Sequence, residues 1–114
     1  MFSVKACRMG PHNRSGTGYG IKVDRYDRRR FFKRAWDVVT LELEGYGAVV
    51  VVPIEKESFW SDTTPVLLSN DIGLWLIQSH LAPWPKGRPP KLMMLSAGGG
   101  RFYVTAASIL DLLP

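Results

Sequence analysis

Asp37-Val-Val-Thr-Leu-Glu-Leu-Glu44 alternates Val39, Leu41 and Leu43 with Thr40, Glu42 and Glu44, and Gly45-Tyr46-Gly47 turns it into Ala48-Val49-Val50-Val51-Val52. Alternation of period two sends one set of side chains into a core and the other into water. Residues 37–44 therefore read as a half-buried antiparallel strand, paired through a glycine-flanked turn with the valine run. Unbroken valines predict a central strand covered on both faces, and Pro53 ends it because it has no N–H to offer a ladder. A hairpin in the middle of the chain makes a sheet, rather than a helix bundle, the centre of the fold.

Towards the N-terminus, Tyr19-Gly20-Ile21-Lys22-Val23 reads as a short strand, and Asp24 is an N-cap candidate for a helix over residues 25–36 with Asp27 at its third position. At 100° per residue, Phe31, Phe32, Ala35 and Trp36 share one side of that helix. Arg29, Arg30, Lys33 and Arg34 line the other around Tyr26, while Arg28 falls in the apolar arc and has to snorkel to its edge. Residues 1–18, rich in Gly, Ser, Asn and Arg, are expected to be a flexible basic arm.

Towards the C-terminus, a loop holds Phe59 and Trp60, Thr64-Pro65 opens a helical turn, and Ser69 or Asn70 caps a largely buried helix from Asp71 to Leu81 that Pro83 stops. Lys91 to Ser96 and Arg101 to Thr105 form a second hairpin around Gly98-Gly99-Gly100, and Ser108 caps a last apolar turn, Ile109 to Leu113. The expected fold is α+β: a mainly antiparallel sheet in the order β-α-β-β-α-β-β with two helices packed on it. Residues 19–114 make one compact domain, a size that 114 residues and 46% apolar side chains allow.

The net charge of +5 conceals an asymmetry. Residues 1–34 balance at +8 and residues 35–114 at −3, and no acid occurs between Ile72 and Leu110. Localised positive charge favours polyanionic partners. Cys7 is the only cysteine, which excludes an intrachain disulfide and a thiolate-rich zinc site and suits a reducing compartment. With no apolar run of membrane length and no signal-peptide pattern at the start, the expectation is a cytoplasmic, prokaryotic protein without a membrane partner.

Signals for catalysis are poor. His12 lies in the presumed arm and His80 at a helix end, Gly16-Thr-Gly-Tyr-Gly20 has no strand before it, and Glu55, Glu57 and Asp62 read as solvated loop acids. No cofactor, metal or enzymatic activity is expected. Pro85-Lys-Gly-Arg-Pro-Pro-Lys91 is similar to the minor-groove segment called an AT-hook, in which a Gly-Arg-Pro core lies extended and its flanking cations meet phosphates. The competing reading is a rigid connector whose Trp84 and prolines pack on the core.

Tyr19-Gly-Ile-Lys-Val23, Phe32-Lys-Arg-Ala-Trp36, Ser58-Phe-Trp60, Ile72-Gly-Leu-Trp-Leu76 and Leu81-Ala-Pro-Trp-Pro-Lys-Gly-Arg-Pro-Pro-Lys91 resemble a set of small prokaryotic proteins to which no activity attaches. The resemblance implies a shared compact fold and transfers no functional residue. The functional expectation is a small non-enzymatic nucleic-acid-binding protein, DNA before RNA and duplex slightly preferred. Arg29, Arg30, Lys33 and Arg34 would contact phosphates beside Tyr26, Lys86, Arg88 and Lys91 would extend the track, and Arg8 and Arg14 would add weak contacts. The alternative is an interaction module or homodimer built on Trp60, Trp75, Trp84 and residues 109–113.

Overall fold

The computed structural model describes residues 1–61 and 63–106. In chain order they form β1 (Phe2–Arg8), β2 (Tyr19–Lys22), α1 (Arg25–Phe31), β3 (Val38–Leu43), β4 (Val49–Pro53), α2 (Glu57–Trp60), β5 (Val66–Leu68), α3 (Asn70–Gln78), β6 (Lys91–Gly98) and β7 (Arg101–Thr105). One seven-stranded sheet runs β4-β3-β7-β6-β1-β2-β5. Its neighbours pair antiparallel except β3 and β7, which run parallel. The end strands β4 and β5 come back towards each other, so the sheet curls into a near-closed barrel. The class is α+β with a mostly antiparallel sheet; the expected β-α-β-β-α-β-β order with two helices gives way to this longer one.

Register explains the curl, because it sets buried side chains opposite buried side chains all round the wall. Ala6 faces Ile21, Val4 faces Leu92, Met94 faces Val104, and Leu41 lies between Phe102 and Val50. Burying such side chains contributes roughly 1.5–3 kcal/mol each, and a one-residue slip would turn every one of them outward.

The helices close the two mouths rather than lying on a sheet face. At one mouth Phe31 of α1 stacks on Phe2 with ring centroids 4.4 Å apart, and Phe32 stacks on Phe102 at 4.8 Å and meets Phe59 of α2 at 5.4 Å. At the other, α3 covers the interior: Trp75 Nε1 donates to the Glu44 carbonyl at 2.8 Å and Tyr46 Oη donates to Asp71 at 2.6 Å.

Residues 1–18 are not an arm. Phe2, Val4 and Ala6 alternate into the core and β1 is paired on both edges, by β2 and by β6. The loop that follows is laced by Asn13, whose Oδ1 accepts from the N–H groups of Ser15 and Gly16 while its Nδ2 donates to the carbonyls of Pro11 and Thr17.

The valine run is corrected as well. β4 is an end strand, and Val49 and Val51 are each 59% exposed while Val50 and Val52 are buried. Residues 57–60, expected as loop, form α2, and Pro65 leads into β5 instead of a helical turn. Ser69 caps α3 as its hydroxyl accepts from the Asp71 N–H, but the helix stops at Gln78 instead of Leu81. His80 adopts φ 59°, which lets its N–H reach the Ile77 carbonyl and that of Leu81 reach Leu76. This is a Schellman stop, and it ends the helix before Pro83 can act. The turn expected after Ser108 lies outside the described residues.

Candidate nucleic-acid interface

The expected basic face breaks where α1 ends. Asp24 caps it, its Oδ1 accepting from Tyr26 N–H at 2.7 Å, and Asp27 occupies the first turn. At Phe32 the backbone becomes extended, with φ −120° and ψ 142°; Phe31 stacks on Phe2, while Phe32 meets Phe2 edge-on and stacks on Phe102. Lys33 and Arg34 therefore sit in a separate turn, closed by Trp36 N–H donating to the Lys33 carbonyl, and do not share a helical face with Arg29 and Arg30. Arg30 lies 5.5 Å from the Tyr26 ring and 5.3 Å from that of Phe31. Arg34 pairs with Glu57 at 3.4 Å and lies 5.7 Å from the Trp60 ring.

Arg28 does not snorkel. It is 5% exposed, and one terminal nitrogen donates to the carbonyls of Phe59 and Ser61 at 2.9 and 2.8 Å. Those carbonyls close the C-terminal end of α2, where a cation is favoured, so the guanidinium ties α1 to α2.

The connector holds its cations differently from an extended groove-binding segment. Arg88 N–H donates to the Pro85 carbonyl at 3.0 Å and Gly87 has φ 76°, which makes residues 85–88 a type II turn with Lys86 and Arg88 exposed on it. Beyond the turn the Pro90 carbonyl accepts from Ala6 N–H at 3.0 Å, leading the chain into β6 beside β1.

That register creates a cluster from residues of three strands. Lys5 on β1 lies directly opposite Lys22 on β2 and opposite Lys91 on β6. Three exposed lysines thus stand in a row across adjacent strands on the outer wall. Among the described residues none of the three is in an ion pair, the one found being Arg34–Glu57 elsewhere; Asp24, which lines a pocket with Lys5 and Lys22, has its carboxylate on the helix cap. Beside the row lies an open groove of about 450 Å³ lined by Cys7, Arg8, Lys22, Trp84 and Pro89. Burial pushes the Cys7 thiol above its ordinary range against the pull of Lys22, which keeps it a weak nucleophile.

Of the residues expected to bind, Lys91 joins this row and Lys86 and Arg88 precede it along the same connector, whereas Arg29, Arg30, Lys33, Arg34 and Tyr26 belong to the α1 end. Lys5 and Lys22 were missed. Their signal was an outward position in two alternating segments flanking a glycine-rich turn, which is the pattern of a hairpin. Tyr103 faces out and donates to Glu44 at 3.0 Å, while Phe102 is core and offers no stacking surface. Trp75 is buried, and Trp60 donates its N–H to the Ile54 carbonyl.

The groove's far wall is preorganised. Trp84 meets the His12 ring edge-on at 4.7 Å and the Tyr19 ring at 5.7 Å, and His12 Nδ1 lies 2.7 Å from Tyr19 Oη. Among the described residues no three His, Cys, Asp or Glu side chains converge as a metal site, and no helix is long and apolar enough to cross a membrane. Compared with protein-family models, curated proteins and solved structures, the chain matches none.

Proposed function

We propose that this protein is a small, non-enzymatic nucleic-acid-binding protein whose phosphate contacts come from Lys22, Lys5 and Lys91. Arg8, Lys86 and Arg88 extend the track, while Arg29 and Arg30, on α1, lie outside it. The observation that carries the reading is the lysine row itself. Like charges directly opposite in a sheet oppose folding, by roughly 0.2–1 kcal/mol per pair, and no ion pair among the described residues relieves these. A polyanion would, and phosphates would meet the row without base specificity. The test is binding of labelled DNA and RNA oligonucleotides, single-stranded and duplex, at two salt concentrations. Affinity that falls with salt and is lost in the Lys5→Gln, Lys22→Gln, Lys91→Gln variant supports the proposal; salt-independent affinity, or none at low salt, overturns it.

A second reading, self-association, is favoured by Val38, Val49 and Val51, which project from the outer side of β3 and the end strand β4. End strands with apolar outward side chains are templates for pairing with a second copy. Sedimentation of wild type against Val49→Lys with Val51→Lys tests it: a dimer that dissociates in the variant supports self-association, and a wild-type monomer at high concentration excludes it.

A further inference from the structure

We infer that the strand class bound at this site is single-stranded nucleic acid, with one base stacked on Trp84 and successive phosphates on Lys22, Lys5 and Lys91; the inference rests on the nucleic-acid reading above. Two features of the site argue for it. The first is shape. Proteins that read duplex sequence insert a helix or a two-stranded ribbon into a groove, and the cations here lie instead flat on the wall of a curled sheet, level with its strands. α3, whose buried residues are Ile72, Gly73, Trp75 and Leu76, closes a mouth of the barrel and presents no basic residue.

The second is the indole. Trp84 lines the groove that also holds Arg8 and Lys22, and its ring is fixed by His12 and Tyr19, themselves joined at 2.7 Å. A ring held in place beside cations loses little freedom when a base stacks on it, and stacking needs an unpaired base. The row spans two strand spacings, about 10 Å, which suits a short stretch of flexible backbone. Lysines alone would favour any polyanion; lysines beside a fixed aromatic wall favour one whose bases are free.

Anisotropy titrations with labelled dT12, rU12 and a mixed-sequence 12-bp DNA duplex test the inference, comparing wild type, Trp84→Leu, Trp84→Phe and Lys5→Gln with Lys22→Gln. Expected are at least about tenfold tighter binding of a single strand than of duplex, and a loss of about fivefold or more in Trp84→Leu, as removal of a stacking ring requires. Trp84→Phe, which keeps a π-face, should retain most of the affinity. Circular dichroism establishes that each variant is folded; the lysine variant, altered only on the surface, reads the phosphate contribution independently of Trp84. The dT12 and rU12 arms separate DNA from RNA. Duplex bound as tightly as single strands, or Trp84→Leu and wild type binding dT12 equally, overturns the strand class and leaves the nucleic-acid reading standing. Absence of salt-dependent binding to all three probes overturns both.

Discussion

The α-carbon of Gly73, on α3, rests against the backbone of Gly16, in the loop before β2, so closely that a Cβ on Gly73 would fall on the Gly16 carbonyl and lie 2.5 Å from its Cα. Two bare backbones in contact bring the capping helix down onto the loop that carries His12 to Trp84.

Gly73→Ala should therefore destabilise the protein by about 1–3 kcal/mol, because overpacking has only backbone to displace. The gain in helix propensity, at most about 1 kcal/mol, is smaller than that. Urea denaturation checks the sign. Gly10→Ala, where a Cβ meets nothing within 4 Å, is the control and should change stability by less than about 0.5 kcal/mol. A neutral or stabilising Gly73→Ala would mean that α3 docks elsewhere.

His80 yields a prediction of opposite sign. It occupies the left-handed position of the Schellman stop, with φ 59°, where a side chain costs roughly 1–2 kcal/mol. His80→Gly removes that cost and adds about 0.5–1 kcal/mol of unfolded-chain entropy, so a net gain of about 0.5–1 kcal/mol is expected. Thermal unfolding with a raised midpoint would bear this out; a lowered one would show that His80 holds something beyond the turn.

What could be read in the residues and what could not divides along the range of the interaction involved. The hairpins at 38–53 and 91–105 follow from alternation and glycine turns, and Asp24 and Ser69 cap the helices as their side-chain chemistry requires. β1 was hidden because its alternation, Phe2, Val4, Ala6, is followed directly by Gly, Asn, Ser and Arg, whose order comes from Asn13 hydrogen bonds. Helical periodicity runs on through Trp36 because it counts apolar residues without knowing their neighbours; Phe32 leaves the helix to stack on Phe102 and meet Phe59. The parallel pairing of β3 with β7 is a long-range contact that no local pattern encodes, and so is the pairing of β6 with β1 that completes the lysine row by setting Lys91 opposite Lys5; Lys5 and Lys22 belong to one hairpin. The edge position of β4 follows from the same strand order, which is why its valines are only half covered.

His12 should make stability depend on pH in a defined window. Burial of the ring, with Arg8 nearby, holds its pKa below the ordinary 6.5, against a smaller raising effect from the Trp84 backbone. Nε2 is buried without a hydrogen-bond partner among the described residues. The folded state thus binds the proton less readily than the unfolded state. The stability from the neutral ring is fully present above about pH 6.5 and is lost as pH falls from there through the depressed folded value. The difference in melting midpoint between wild type and His12→Phe should shrink or reverse on going from pH 7.5 to 5, with carboxylates common to both cancelling. A pH-independent difference would place the His12 ring in solvent.

The lysine row predicts that function and stability pull against each other. If Lys5, Lys22 and Lys91 face one another to meet phosphates, replacing all three by Gln removes two directly opposed like-charge pairs and should raise stability by about 0.4–2 kcal/mol, more at low salt. The same variant should bind single-stranded oligonucleotide weakly, and the slope of log affinity against log salt should move from about −2, as three neutralised phosphates give on a single strand, towards zero. Arg29→Gln with Arg30→Gln should leave that slope nearly unchanged, since these cations belong to α1 and Arg30 lies against Tyr26 and Phe31. A merely solvating set of lysines would also gain stability on replacement, but it would show no loss of affinity. Greater loss from the α1 pair than from the row would return the phosphate contacts to the helix.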